Sequence, residues 1–115
     1  FCFGELNGLF YALLAFVIMD YITGLIVGWR KKTLSSAIGF NGLAKKVFIF
    51  CLVALGHIID VYVLGTGAVL QSAITLFYIA NEGISVTENA ANIGVPIPKK
   101  LIDVLQQIKN NEEEK

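Results

Sequence analysis

Ionisable side chains interrupt stretches of sequence that are otherwise apolar, and these are the residues that could do chemistry. His57 and Asp60 lie three positions apart, so a helix would place them on one face. Because histidine changes charge near neutral pH, such a pair could sense pH or line a water-filled path. Covalent catalysis would also need a nucleophile within reach, and none is evident. Phosphate loops, serine elbows and zinc-ligand spacings are missing as well, so the sequence carries no enzyme signature and we do not expect an enzyme.

The two cysteines, Cys2 and Cys51, both lie in apolar surroundings. Their spacing matches no zinc or redox motif. Since buried thiols usually behave as small hydrophobic groups, we expect packing rather than a disulfide at these positions.

Small and polar residues recur at helical spacing in the same apolar stretches. Asp20, Gly24 and Gly28 follow one another every four residues, so they share one face of a helix. Two glycines at this spacing let neighbouring helices approach closely, and we predict a helix–helix contact along this face. Further polar residues share faces of the later apolar stretches: His57, Asp60, Gln71, Thr75 and Glu82.

These polar groups need partners. An ionised side chain at the centre of a bilayer costs about 2.5–3.5 kcal/mol. The groups can pair within one subunit, or they can face other subunits or a water-filled lumen. Because three helices offer few faces for so many polar groups, we infer a homo-oligomer. We predict that the five residues from His57 to Glu82 supply polar contacts between its subunits or line its lumen.

The elements that must position these residues are apolar helices. The chain has 115 residues, of which 56% are hydrophobic and 16% charged, with a mean hydropathy of +0.69. A soluble domain has about 45–50% apolar and about 25% charged residues, so this composition predicts an integral membrane protein. The net charge is zero, which gives no reason to expect binding to nucleic acid.

We predict an all-α membrane protein with three transmembrane helices and a short C-terminal amphipathic helix. The spans cover about residues 6–29, 47–64 and 68–85, all within a transmembrane domain of residues 1–94. A helix as long as the first span covers roughly 36 Å, and the hydrocarbon core of a bilayer is about 30 Å thick. We interpret the first span as retained, because no small-residue cleavage site follows it. Residues 95–115 form the cytoplasmic C-terminal helix and tail.

A basic loop at residues 30–46 separates the first two predicted spans, with a short interfacial helix as an option inside it. Cationic loops remain in the cytoplasm, so we expect the loop and the C-terminus there and the N-terminus outside. We expect this loop to set the topology and to contact lipid headgroups. Its basic residues are Arg30, Lys31, Lys32, Lys45 and Lys46.

Two long motifs carry a resemblance to a known family. Residues 19–47 read MDYITGLIVGWRKKTLSSAIGFNGLAKKV, with Asp-x-x-Thr-Gly, then Ser-Ser, then Gly-Leu-x-Lys-Lys. Residues 81–101 read NEGISVTENAANIGVPIPKKL, with Asn-Glu, then Glu-Asn, then Gly-Val-Pro-Ile-Pro. The motifs, in this order, closely resemble the phage holin family that includes the toxin-secretion and phage-lysis holins. The resemblance covers nearly the whole chain.

The resemblance implies a function that composition does not. Holins of this family accumulate in the bacterial cytoplasmic membrane, assemble into homo-oligomers and open lesions that release an endolysin or a large toxin. They are not enzymes and need no cofactor. The family does not assign individual lumen residues, so those named above stay predictions from spacing.

Two other functions fit the residues. A selective ion channel or a transport subunit could use the intramembrane His57 and Asp60, although the chain lacks an inverted repeat or a pair of broken helices. A membrane scaffold that does not permeabilise could instead bind a partner through residues 99–110.

Overall fold

Helices make up the regular structure of this chain. The computed structural model describes residues 7–33, 35–65 and 67–113, and no strand occurs among them. Helix α1 covers Asn7–Arg30, and α2 covers Ser36–Ile58 and continues directly into a π-helical segment, Ile59–Leu64. Helix α3 covers Val69–Asn92 and α4 covers Lys99–Glu113. The predicted all-α class is confirmed.

Two helices in the described part of the chain are long and apolar enough to cross a membrane. They are the segments Gly8–Arg30 and Gly39–Leu64. Helix α3, which contains the third predicted span, is not one of them, because polar residues interrupt it along its length. The third crossing therefore stays a prediction.

The prediction of a loop at residues 30–46 is wrong for residues 36–46, which are helical. Helix α2 begins at Ser36, and the Ser35 carbonyl accepts a hydrogen bond from the Gly39 N–H at 3.0 Å. Glycines weaken a helix in water, but here the ring of Tyr21 packs beside Gly39 and Gly42. Tertiary packing thus extends the helix through residues that read locally as breakers, and it draws Lys45 and Lys46 into α2.

Both connections at the basic end start with the same helix stop. After α1, the Thr33 N–H donates to the Gly28 carbonyl at 2.9 Å, with Lys32 in the left-handed region at φ +58°. After α3, the Val95 N–H donates to the Ala90 carbonyl at 2.9 Å, with Gly94 at φ +87°. These are Schellman motifs. Gly94 adopts its positive φ without steric cost, because it has no Cβ atom.

Helix α3 lies at the centre of the bundle, in contact with α1, α2 and α4. None of its residues from 70 to 87 is exposed. By contrast, the outer faces of α1 and α2 carry exposed apolar side chains, such as Ile22 and Phe48 at 51% and 68% exposure. The most polar of the long helices is therefore covered, and the apolar ones form the surface. The apolar core between them contains Leu13, Val17, Ile49, Val53 and Ile79.

Candidate functional site: a buried ion-pair network

A lysine on α2 joins carboxylates on the two other long helices. The Lys46 ammonium lies 2.6 Å from Asp20 Oδ2 on α1 and 3.0 Å from Glu82 Oε1 on α3. The side chains of both acids are 7% exposed and that of Lys46 is 15% exposed. Because each charge comes from a different helix, the network fixes the mutual position of all three.

Hydroxyl and amide groups complete the network around Asp20. Ser85 Oγ donates to Asp20 Oδ1 at 2.6 Å, and Asn89 Nδ2 donates to the same oxygen at 3.1 Å. Asn89 also donates to Thr23 Oγ1 at 2.8 Å, and the Thr23 hydroxyl donates to the Met19 carbonyl at 2.7 Å. A buried carboxylate is tolerated when its oxygens accept several hydrogen bonds in this way.

The three charged groups share one level of the bundle. Asp20 lies ten residues before the end of α1, Glu82 ten residues before the end of α3, and Lys46 ten residues after the start of α2. At 1.5 Å per residue this is about 15 Å from each helix end. Those ends lie together, since Lys31 Nζ is 3.5 Å from Asn92 Oδ1.

A cavity of about 550 Å³ opens beside the network, between α2, α3 and α4. Its charged lining holds three acids and three lysines, which allows charges of both signs to balance. These are Asp20, Glu82, Glu88, Lys45, Lys46 and Lys109. Among the described residues, no group of three or more His, Cys, Asp or Glu side chains could hold a metal ion.

A second polar cluster lies toward the opposite end of the bundle. The fully buried Asp60 carboxylate accepts hydrogen bonds from the Leu70 N–H at 3.0 Å and the Gln71 N–H at 2.7 Å. It thereby caps the start of α3, because the first N–H groups of a helix have no partner inside the helix. A negative charge at this end also interacts favourably with the helix dipole.

Close backbone packing accompanies this cap. A Cβ atom at Gly56 would lie 3.3 Å from Gln71 Cα and 2.8 Å from Ile74 Cδ1, so α2 and α3 approach each other closely there. His57, Gln71 and Thr75 are buried nearby, and Thr75 Oγ1 donates to the Gln71 carbonyl at 2.7 Å.

The predicted site residues therefore fall into two groups. Asp20 and Glu82 meet at Lys46, whereas Asp60 and Gln71 meet at the start of α3. Asp20 and Gly24 face α3, where a Cβ at Gly24 would lie 3.9 Å from Asn89 Nδ2. Gly28 lines a cavity of about 330 Å³ together with Gly24. Their predicted roles at a subunit interface or in a lumen stay predictions.

Sequence reasoning missed three members of the network. It placed Lys46 in a loop, and it did not name Ser85 or Asn89 among the candidate site residues. One signal was available: each of the three predicted spans carries an acid that needs a partner, and Lys46 is the lysine that directly precedes the second apolar run. The other basic residues of the predicted loop are exposed: Arg30, Lys31, Lys32 and Lys45.

Comparison with known proteins adds a family match over nearly the whole chain. Residues 1–110 match the model of the bacteriophage holin family. A relative from Bacillus phage phi105 named "Probable holin" is 40% identical over 115 residues, which is 100% of this chain and 84% of that protein. An uncharacterised protein of Bacillus subtilis (strain 168) is 45% identical over 102 residues, covering 89% of this chain and 72% of its own length.

An uncharacterised 14.9 kDa protein of Clostridium perfringens is 42% identical over 98 residues, covering 85% of this chain and 74% of its own length. No solved structure matches the chain significantly.

Proposed function

The chain belongs to the bacteriophage holin family, and on that premise we propose that it opens a pore or lesion in the bacterial cytoplasmic membrane. Copies of the chain assemble there, and the opening releases an endolysin or a large toxin to the outside. The observation that carries this proposal is the family match, together with a relative, similar over the whole chain, that is named a probable holin.

The proposed topology has three crossings, made by α1, by α2 with its π-helical segment, and by α3. Two of these segments are apolar and long enough to cross. Helix α3 can cross as well, because α1, α2 and α4 cover its polar side chains within one chain. One end of the bundle carries a cluster of cations: Arg30, Lys31, Lys32, Lys99 and Lys100. Because cation-rich ends stay in the cytoplasm, the proposed orientation has that end and the C-terminus in the cytoplasm and the N-terminus outside.

Assembly into a homo-oligomer follows from the same proposal, with the lipid bilayer as the other partner. One chain already provides partners for Asp20, Asp60 and Glu82. If these residues also line a lumen or join subunits, opening must exchange contacts within a chain for contacts between chains. The network around Lys46 is then a closed-state contact that opening has to break.

Vesicle leakage tests the proposal directly. The pure protein is reconstituted into liposomes that contain a small dye and a large labelled dextran, and release of each is measured against protein-free vesicles. Release of both supports a holin-type lesion. Release of the dye alone favours a selective channel or a transport subunit. Release of neither contradicts an autonomous pore and favours a scaffold.

A further inference from the structure

The end of the bundle at which α1 and α3 stop exposes cations and apolar side chains together. We propose that this end binds anionic phospholipids of the cytoplasmic leaflet. The binding surface is composite, because it joins the end of α1 to the first turn of α4, and we call residues 29–32 and 99–102 the basic end surface. The inference rests on the proposed topology, in which this end and the C-terminus lie in the cytoplasm.

Two segments that are far apart in the sequence meet at this end. Lys31 Nζ lies 3.5 Å from Asn92 Oδ1, which brings the end of α1 to the end of α3. The Val95 N–H donates to the Ala90 carbonyl at 2.9 Å, so the connection to α4 turns back at the end of α3. Helix α4 then begins at Lys99. Its first turn therefore lies at the same end of the bundle as the cations that close α1.

Cations outnumber acids at this end. Five are exposed: Arg30, Lys31, Lys32, Lys99 and Lys100. Within the described residues none of these five forms an ion pair, since the ion pairs there use Lys46 and Lys109. The acids nearest to the helix ends are Glu88, four residues before the end of α3, and Asp103, four residues after the start of α4. Because anionic headgroups attract Lys and Arg side chains near a membrane surface, this excess of positive charge favours a negatively charged ligand.

Apolar side chains lie among these cations. Trp29 is 74% exposed next to Arg30, and Leu101 and Ile102 are 45% and 38% exposed next to Lys100. Tryptophan is typical of the membrane interface, where its ring lies at the level of the headgroups. A small soluble anion would gain only from the cations. A phospholipid offers its phosphate to the cations and the upper part of its acyl chains to the apolar groups, so the combination favours a lipid as the ligand.

The basic end surface differs from the basic loop that the sequence predicts. Lys45 and Lys46 lie in α2 and line the cavity beside the ion pairs, so they do not belong to it. Lys99 and Lys100 take their place. Only the first turn of α4 takes part, at the level of the headgroups, which agrees with a cytoplasmic C-terminus. A loop that only set the topology would need no selectivity among lipids, whereas the composite surface predicts a preference for anionic over zwitterionic lipid.

The fluorescence of Trp29 tests this inference, because the chain contains one tryptophan. The protein is reconstituted into vesicles of equal parts phosphatidylglycerol and phosphatidylcholine, with bromine on the acyl chains of one lipid or of the other. Bromine quenches tryptophan only at short range, so the two vesicle types show which lipid lies beside Trp29. We expect brominated phosphatidylglycerol to quench at least about twofold more strongly, and raised salt to reduce the difference by screening. Equal quenching by the two lipids overturns the proposal.

A matched pair of double variants locates the preference. Lys99→Gln with Lys100→Gln removes two cations of the basic end surface, whereas Lys45→Gln with Lys109→Gln removes two lysines that line the cavity. We expect the first variant to lose at least about half of the preference and the second to keep it. Lys99 and Lys100 are exposed, so their replacement leaves the packing intact. An equal loss in both variants would mean that net charge alone attracts the lipid, and it would overturn the composite surface.

The remaining outcomes separate this inference from its neighbours. Inorganic phosphate and sodium chloride at equal ionic strength should reduce the preference equally. A much larger effect of phosphate would identify a soluble phosphate-bearing ligand and overturn the assignment to lipid. The fluorescence measurement needs no open pore. A protein that prefers anionic lipid but releases no dye keeps this inference and loses the proposed function, whereas dye release without a lipid preference does the opposite.

Discussion

Replacing Lys46 with methionine should destabilise the bundle far more than a surface change of the same kind. The substitution keeps a side chain of similar length but removes the ammonium group that lies 2.6 Å from Asp20 and 3.0 Å from Glu82. Removing one member of a buried ion pair costs about 3–5 kcal/mol, because the remaining charge stays buried without compensation. Here two carboxylates remain, although Ser85 and Asn89 still donate to one of them. We expect a loss of about 3–4 kcal/mol.

The assay is equilibrium unfolding in mixed detergent micelles, followed by far-ultraviolet circular dichroism. A loss of this size lowers the folding equilibrium constant by about 100- to 1,000-fold. Lys45→Met is the matched control, since it removes the same charge one position away from an exposed side chain. Its expected effect is below about 0.5 kcal/mol. Equal losses in the two variants would refute the assignment of Lys46 to the bundle interior.

A triple variant separates charge from packing. Asp20→Asn, Lys46→Met and Glu82→Gln together remove all three charges while keeping the side-chain volumes. Because the penalty comes from an unpaired buried charge, neutral replacements should restore most of the lost stability. If the triple variant is no more stable than Lys46→Met alone, the loss came from packing and the electrostatic reasoning is wrong.

Three further predictions follow from the same contacts. Asp20→Leu should speed dextran release from vesicles more than Glu82→Leu, because Asp20 accepts hydrogen bonds from three side chains in the network that opening has to break. Release at the unsubstituted rate by both variants would contradict a role for either acid. Asp60→Ala should lower the free energy of unfolding by about 0.5–2 kcal/mol, the usual loss for a helix cap, whereas Asp60→Asn retains a cap. Amide hydrogen exchange at the start of α3 measures the difference. Equal exchange in both variants would contradict capping by the side chain. Gly83→Leu overpacks the contact between α3 and α4 at a cost of about 1–3 kcal/mol, so trypsin should cleave within α4 faster. Gly8→Leu is the control, since nothing lies within 4 Å of a Cβ atom at that site. Equal cleavage rates in the two variants would contradict docking of α4 at Gly83.

The parts of the fold that local sequence determines were predictable. The apolar run that ends at Arg30 became α1, and Gly94 ends the α3 segment because it adopts φ +87° without steric cost. The amphipathic pattern after Pro98 became α4. In each case the deciding interactions lie within a few residues along the chain.

The parts that depend on distant contacts were not predictable in the same way. The start of α2 was missed because Gly39 and Gly42 are helix breakers by propensity, and only the packing of Tyr21 shows why they are tolerated. Lys46 joined the network only once α2 was extended to Ser36. Amphipathicity specified that α4 has an apolar face, but the partner of that face, at Gly83, depends on the fold of the whole chain.

The members of the ion-pair network are synthesised at different times, because they lie far apart in the sequence. Asp20 is made first, Lys46 follows 26 residues later, and Ser85 and Asn89 follow 65 and 69 residues later. In the proposed topology, α1 therefore enters the bilayer with an uncompensated carboxylate, at a cost of about 2.5–3.5 kcal/mol. The Asp20 carboxylate gains its ion pair only when α2 is inserted, and it gains its remaining hydrogen bonds only when α3 is inserted. A chain interrupted before residue 89 would therefore leave Asp20 without the hydrogen bond that Asn89 donates in the finished protein.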